Sequence, residues 1–318
     1  MNTRFWLADP AKPSVRQLLV TVEHQSGWAG VATVSPNGKT VALTVLPQGK
    51  RDPDHEAGLQ MFDINKPQSR TLADGIDLRS TLVWSPDGAA VTYQRFDGSQ
   101  QQLWSQPAIA QPATEFNAVQ NGERIIPLAL DEDGQVLEAH FGGRGVDLER
   151  IRAGKAPEQV QHLSDSSARN FALAPGDGRL AYLAVDRGNS DPVSRAYVSD
   201  LSGGAIKELP ADWGEIVGVV WNANQELVAG SAGSTAGLRT EAGVRVPSPA
   251  VPGFLQPLSW STSGKYLAVR SFSGTSGAQP GSARDALLTQ KGKLILITDT
   301  LPVRFVGWAT GASRNAGK

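Results

Sequence analysis

A turn motif recurs along this chain at intervals of about 45 residues, a period characteristic of propeller blades and of helical solenoids. Its clearest copy is Ser85-Pro-Asp-Gly88, which follows a short apolar segment and precedes an alternating one. That arrangement marks two strands joined by a hairpin. Related turns are Val34-Ser-Pro-Asn-Gly38, Leu130-Asp-Glu-Asp-Gly134, Leu173-Ala-Pro-Gly-Asp-Gly178, Trp221-Asn-Ala-Asn-Gln225 and Trp260-Ser-Thr-Ser-Gly264, with a weaker seventh at Trp308-Ala-Thr-Gly311. Successive turn ends lie 50, 46, 44, 47 and 39 residues apart, from position 38 to position 264. The intervening segments alternate with period 2 and are interrupted by Gly and Pro too often for long helices, so strands are expected.

Each unit reads as four strands, A to D. The second unit shows them as Thr81–Trp84, Ala90–Phe96, Gln102–Trp104 and a weaker Thr114–Phe116. Other B strands are expected at Thr40–Val45, Val136–His140, Leu180–Val185, Leu227–Gly230 and Tyr266–Arg270. Alternating apolar side chains would place one face of each sheet against each neighbour. Trp84, Trp221, Trp260 and Trp308 share one A-strand position, which makes them repeated core packing rather than a stacking platform for sugars or bases.

The chain is therefore expected to be all-β: one propeller domain over residues 1–318, built of four-stranded antiparallel blades. Six units run from about Ala29 to Thr300, leaving Arg304–Trp308 as an A-like strand and Phe5–Leu7 with Val15–Val20 as a C and D pair. Residues of about 1–22 and 304–318 would combine into a seventh, composite closing blade, which removes exposed sheet edges. A six-bladed ring with extra terminal strands is the alternative.

Ser85-Pro-Asp-Gly-Ala-Ala-Val-Thr-Tyr93, with Gly98 and Gln102-Leu-Trp104, resembles the repeat of TolB-like (PD40, WD40-like) propellers and of the non-catalytic propeller of the prolyl oligopeptidases. The resemblance implies a bacterial envelope scaffold that contacts proteins, and an extracytoplasmic, periplasmic or cell-surface location, with the cytoplasm not excluded. The peptidase pattern is broken: no Gly-x-Ser-x-Gly nucleophile elbow occurs. No Trp-Asp dipeptide occurs either.

Chemistry is sparsely signalled. The 30 basic and 31 acidic residues give a net charge of −1, which provides no field for nucleic acid. Without cysteine there is no disulfide, thiolate metal site or thiol nucleophile. No run approaches the roughly 18 apolar residues of a membrane span. The Ser-Pro-Asp-Gly segments fit turns better than the Asp-box of sialidases, Asp131-Glu-Asp133 lacks the remaining ligands of a calcium loop, and His24, His55, His140 and His162 show no zinc spacing. His140 is expected to pack in its strand, His162 to lie on an outer strand and His55 to sit in a loop. No cofactor, metal or catalytic residue is assigned, and the chain is expected to be a monomeric, non-enzymatic propeller.

Loop length is more informative. Antiparallel blades place every B–C connection on one face of the ring. These connections are long in unit one (Pro47–Ala57), unit four (Asp186–Val193) and unit six (Phe272–Ala283), against the 2–5 residues usual for hairpins. Arg51, Asp52, Asp54, His55, Asp186, Arg187, Asp191, Arg195 and Arg284 are expected to form a mixed-charge face that binds a protein or peptide. A sugar-binding or carbohydrate-active propeller with an axial pocket of converging carboxylates and an exposed Trp is the alternative.

Overall fold

The turn that sets the repeat is built from its own short side chains. Gly88 N–H bonds Ser85 O at 2.9 Å, Ala90 N–H bonds Ser85 Oγ at 2.9 Å, and Ser85 Oγ donates to Asp87 Oδ1 at 2.6 Å. The Ser85 hydroxyl, and after it the Ala89 N–H at 2.8 Å, hold the Asp87 carboxyl below its usual range. Gly88 takes φ +73°, where a Cβ is strained. The Ser261 turn repeats the pattern, with Gly264 N–H on Ser261 O at 2.8 Å and Tyr266 N–H on Ser261 Oγ at 3.1 Å.

In the computed structural model, residues 1–25, 30–66, 68–109, 111–120, 122–176, 178–185, 193–297 and 303–310 are described. They form seven antiparallel sheets in chain order. A hairpin, β1 (Asn2–Asp9) and β2 (Lys12–Glu23), comes first. The first blade is β3 (Ala32–Val34), β4 (Thr40–Val45), β5 (Ala57–Asp63) and β6 (Arg70–Ile76), and the second is β7 (Val83–Trp84), β8 (Ala90–Phe96), β9 (Gln100–Pro107) and β10 (Thr114–Gln120). The third is β11 (Arg124–Leu130), β12 (Gln135–Gly142), β13 (Gly145–Arg152) and β14 (Glu158–Ser164). The fourth is β15 (Ala168–Leu173), β16 (Arg179–Val185), β17 (Ser194–Asp200) and β18 (Lys207–Glu208). The fifth has three strands, β19 (Glu215–Trp221), β20 (Leu227–Ala232) and β21 (Gly237–Thr240), with one further bridge between Arg239 and Arg245 where a fourth strand was expected. The sixth is β22 (Phe254–Trp260), β23 (Tyr266–Phe272), β24 (Ala283–Thr289) and β25 (Leu294–Leu296). This is a seven-bladed β-propeller in which the terminal hairpin makes the seventh sheet.

Strand alternation assigns each side chain to one neighbour. Along β4, Val41, Leu43 and Val45 face the terminal hairpin, where they bury Phe62, Val22 and Ile64 beside Phe5, Leu7, Val20 and Ala309. Ala42 faces the other way, into a core with Leu59, Met61, Trp84, Val91 and Tyr93 of the first two blades. Similar cores lie between the second and third blades, third and fourth, fourth and fifth, and fifth and sixth. Each fully buried Val, Leu or Ile there contributes roughly 1.5–3 kcal/mol. The interface between the sixth blade and the hairpin has no such core among the described residues.

The ring closes there by a different device. Residues 303–310 form no strand, yet they touch both sides of the seam. Phe305 N–H bonds Asp285 Oδ2 at 2.7 Å and Trp308 Nε1 donates to Ser259 O at 3.3 Å on the sixth blade. Thr310 N–H bonds Gly38 O at 3.1 Å, and its hydroxyl donates to Asn37 O at 2.5 Å, on the first. Residues 311–318, placed in the closing blade by the sequence, lie outside the described residues.

Candidate functional site

The long loop of the first blade is held by its own charges. Glu56 accepts the backbone N–H groups of Arg51 at 2.9 Å and Asp52 at 3.1 Å, and pairs with Lys50 at 3.1 Å. These donors, in that order, hold the Glu56 carboxyl down at about 2. Asp52 accepts from Asp54 N–H at 3.0 Å and pairs with His55 Nδ1 at 2.7 Å, and the His55 contact is the main reason its own carboxyl is held low. Arg79, from the link into the second blade, pairs with Asp54, while Leu78 N–H bonds Pro53 O at 2.8 Å. The His55 ring lies 5.2 Å from Phe96. A loop of this length is thereby fixed in shape, with Arg51 exposed at its edge.

The Glu56 clamp should survive acid. A depressed carboxylate gives the loop its full contribution above its ordinary pKa of 4.5; that contribution declines as pH falls below 4.5 and is gone once pH has passed through about 2. Glu56→Ala is therefore expected to speed amide exchange at Arg51 and Asp52 about tenfold at pH 7 and by a smaller factor at pH 4, where the parent loop keeps most of its protection. Loss of parent protection already at pH 4 would show that Glu56 does not hold the loop.

The other expected residues are distributed unevenly. Arg195, at the start of β17, donates to Ala211 O at 2.5 Å and Gly214 O at 3.3 Å; it ties the fourth blade to the link into the fifth and is half-buried rather than displayed. Arg284 is exposed at the start of β24, beside the sixth-blade loop. That loop reaches the fifth blade through Gly277 N–H on Glu215 Oε2 at 2.9 Å. Asp186, Arg187 and Asp191 lie outside the described residues. The face thus combines Arg51, Asp52, Asp54, His55 and Arg79 in one cluster, with Arg284 on a separate blade.

Sequence reading missed a second cluster, between the second and third blades. On β12, Val136, Glu138 and His140 alternate toward the second blade. Glu138 is fully buried, accepts one bond from Asn117 Nδ2 at 2.6 Å, and leaves Oε2 without a partner. Burial pushes its carboxyl up to about 7, against the Asn117 bond, and the nearby Glu149 adds to the rise. His140 is not apolar packing: its Nδ1 lies 3.2 Å from Glu149 Oε1, and Glu123 Oε2 is 3.7 Å from Nε2. The available signal was a Glu at the B-strand position where the other blades carry Leu43, Tyr93, Tyr182, Ala229 and Val269. His162 is on the outer strand as expected, where Asp147 at 2.7 Å and Asp165 at 3.0 Å raise its pKa. Among the described residues no three His, Cys, Asp or Glu side chains are grouped to hold a metal ion.

A third feature is a cleft of about 430 Å³ beside the closing segment, lined by Thr33, Ser35, Trp260, Arg270, Phe305 and Trp308, among others. The four repeated tryptophans divide here. Trp84 and Trp221 are buried core residues, Trp260 packs half-buried against the core of the fifth and sixth blades and also lines the cleft, and Trp308, half-buried there, stacks on Tyr266. Among the described residues no carboxylate lines the cleft.

Fold and site together define a repeat-built β-propeller with a charged loop on its first blade and a cleft beside its closing segment. Solved structures with this architecture include TolB from Acinetobacter baumannii (TM-score 0.54, 9% identity, 92% of this chain and 62% of that one). A prolyl endopeptidase aligns with TM-score 0.60 at 17% identity, over 88% of this chain and 44% of its own. The Pyrococcus horikoshii acylaminoacyl peptidase gives TM-score 0.60 at 10% identity, over 94% and 50%. The fold is that of the TolB-like and prolyl oligopeptidase propellers, and at these identities the likeness concerns the fold alone. The chain spans less than two thirds of the length of each of these proteins. No family model and no curated protein sequence matches it. No described helix is long and apolar enough to cross a membrane.

Proposed function

We propose that the chain is a non-catalytic propeller that binds a protein or peptide through its B–C loop face, as part of a bacterial envelope protein working outside the cytoplasm. The observation that carries this reading is the pre-ordered first-blade loop. Glu56, Asp52 and Arg79 fix its backbone before any partner arrives, so little conformational entropy is lost on association. The loop still presents charge of both signs for steering and register. The envelope location rests on the TolB-like resemblance of the repeat.

The test compares the intact chain with an Arg51→Glu, Asp54→Lys, Arg79→Glu variant in affinity capture from an envelope extract, followed by salt titration of the captured complex. The expected result is a specific partner that the folded variant loses and that dissociates as ionic strength rises. Retention of every partner by the variant overturns the loop face. Saturable glycan binding sensitive to Trp260 and Trp308 instead favours the sugar-binding alternative, which the aromatic lining of the cleft supports.

A further inference from the structure

Of the nine buried side-chain nitrogen and oxygen atoms that lack a hydrogen-bond partner among the described residues, four meet between the second and third blades. They are Thr92 Oγ1 on β8, and Glu138 Oε2, His140 Nε2 and Glu149 Oε2 on the facing sheet. The other five are divided among five blades. Thr92 faces the third blade because it stands between Ala90, which packs in the core of that interface, and Gln94, whose Nε2 donates to Ile125 O at 2.8 Å. Glu138 and Glu149 are directly cross-strand, so their side chains share one face.

The charges on this face are unbalanced. Glu123 lies just before β11, β12 contributes Glu138 and His140, β13 contributes Asp147 and Glu149, and His162 of β14 is held between Asp147 and Asp165. The second blade answers with Thr92 and Gln94 from β8, Gln101 from β9 and Asn117 from β10, none of which titrates. No Lys or Arg among the described residues pairs with any of these five carboxylates. A buried carboxylate without a cation is costly, and protonation removes the cost. Burial accordingly pushes the Glu138 carboxyl up to about 7, with Glu149 adding to the rise. His140, 3.2 Å from Glu149 and 3.7 Å from Glu123, is the group beside them that can carry a positive charge.

Side-chain bonds tie the two blades together at the same place. Asn117 Nδ2 donates to Glu138 Oε1 at 2.6 Å, Ile125 N–H to Gln101 Oε1 at 2.7 Å, and Gln94 Nε2 to Ile125 O. We propose that this interface is a proton-operated seam, closed while Glu138 is neutral and His140 is charged, and opened locally when those protons are released. A carboxyl with a raised folded pKa gives its full contribution below 4.5 and has lost it once pH has passed through about 7. Deprotonating His140 acts in the same direction, because it leaves Glu149 and Glu123 with no cation between them. Acid therefore tightens the seam and alkali loosens it. The device is confined to this interface: among the described residues the other buried carboxylate, Asp285, has Arg270 as its partner. It does not depend on the loop face.

The test reads hydrogen exchange at the Ile125 amide of the full chain, whose N–H is bonded only across the seam. Protection, corrected for the intrinsic rate at each pH, is expected to fall at least about tenfold between pH 5 and pH 8. In urea too dilute to unfold the protein the loss should depend only shallowly on urea, the mark of an opening that exposes little surface. Glu138→Gln, close in shape to the parent, should keep Ile125 protected at pH 8. Glu149→Gln, at a less buried position, should shrink the loss without removing it. Equal protection of the parent at pH 5 and pH 8 overturns the proposal, as does a loss that Glu138→Gln shares in full. A urea dependence as steep as that of whole-molecule unfolding overturns it too, because the ring and not the seam is then what responds to pH.

Discussion

Replacing Glu138 by Gln is expected to stabilise the protein at pH 8 and to leave it nearly unchanged at pH 4. The side chain is fully buried between the second and third blades, and its pKa rises from an ordinary 4.5 to about 7. A group with a raised folded pKa contributes its full stability below the unfolded value. That contribution declines from pH 4.5 upward and is gone once pH has passed through about 7. A shift of this size corresponds to roughly 3 kcal/mol. Gln keeps the Oε1 acceptor for Asn117 and is never charged, so the penalty disappears.

With unfolding entropy near 2.1 cal/mol/K per residue, the gain at pH 8 is about 4–5 °C in Tm. His162 acts in the same direction, since its raised pKa gives stability that is lost as pH rises through it, but it is exposed and its part is small. Calorimetric melts of parent and Glu138→Gln at pH 4, 6 and 8 are the check. Parallel curves would mean that Glu138 is not held protonated, and that the Glu123, His140 and Glu149 side chains around it provide compensation absent from the static picture.

The second large effect concerns closure. Arg270 Nε and Nη2 bond the two oxygens of Asp285 at 2.7 and 3.0 Å, and Asp285, 5% exposed overall, also accepts Phe305 N–H. Arg270→Ala strands a buried carboxylate, which costs about 3–5 kcal/mol. For a chain of this size that is a fall of roughly 5–7 °C in Tm. Pairing Arg270→Met with Asp285→Leu removes both charges and should recover most of the loss, because an ion pair replaced by well-packed apolar groups is often neutral.

The double variant should not restore closure, since the Phe305 N–H has lost its acceptor. The expected signature is near-parental stability in denaturant with fast exchange and protease access at residues 303–310. If the double variant instead protects Phe305 as well as the parent does, the closing segment is held by Trp308 stacked on Tyr266, at 6.5 Å between centroids, and by Thr310 on the first blade.

What the sequence determined by itself is the repeating unit. Its signals are local: the Ser85 and Ser261 turns close through bonds spanning no more than five residues, and period-2 alternation needs only neighbours in the chain to be legible. The hairpin's role as C and D strands was also legible, because Phe5, Leu7 and Val20 carry the same alternation. The ion pairs of the first-blade loop could be foreseen as a charged cluster, but not as a fixed one. Arg79 lies 25 residues from Asp54 and meets it only because a B–C loop and a D–A link share a face.

Tertiary structure alone decided which equal residues become unequal. Trp84 and Trp260 stand in the same local motif, yet one lies under a complete neighbouring blade and the other beside the closing seam. Glu138 looks like any strand carboxylate until the second blade covers it and removes its water. Closure itself depends on Thr310 meeting Asn37 across 273 residues. A ring joins its first and last elements only after every blade between them has set its angle, and no local pattern carries that sum.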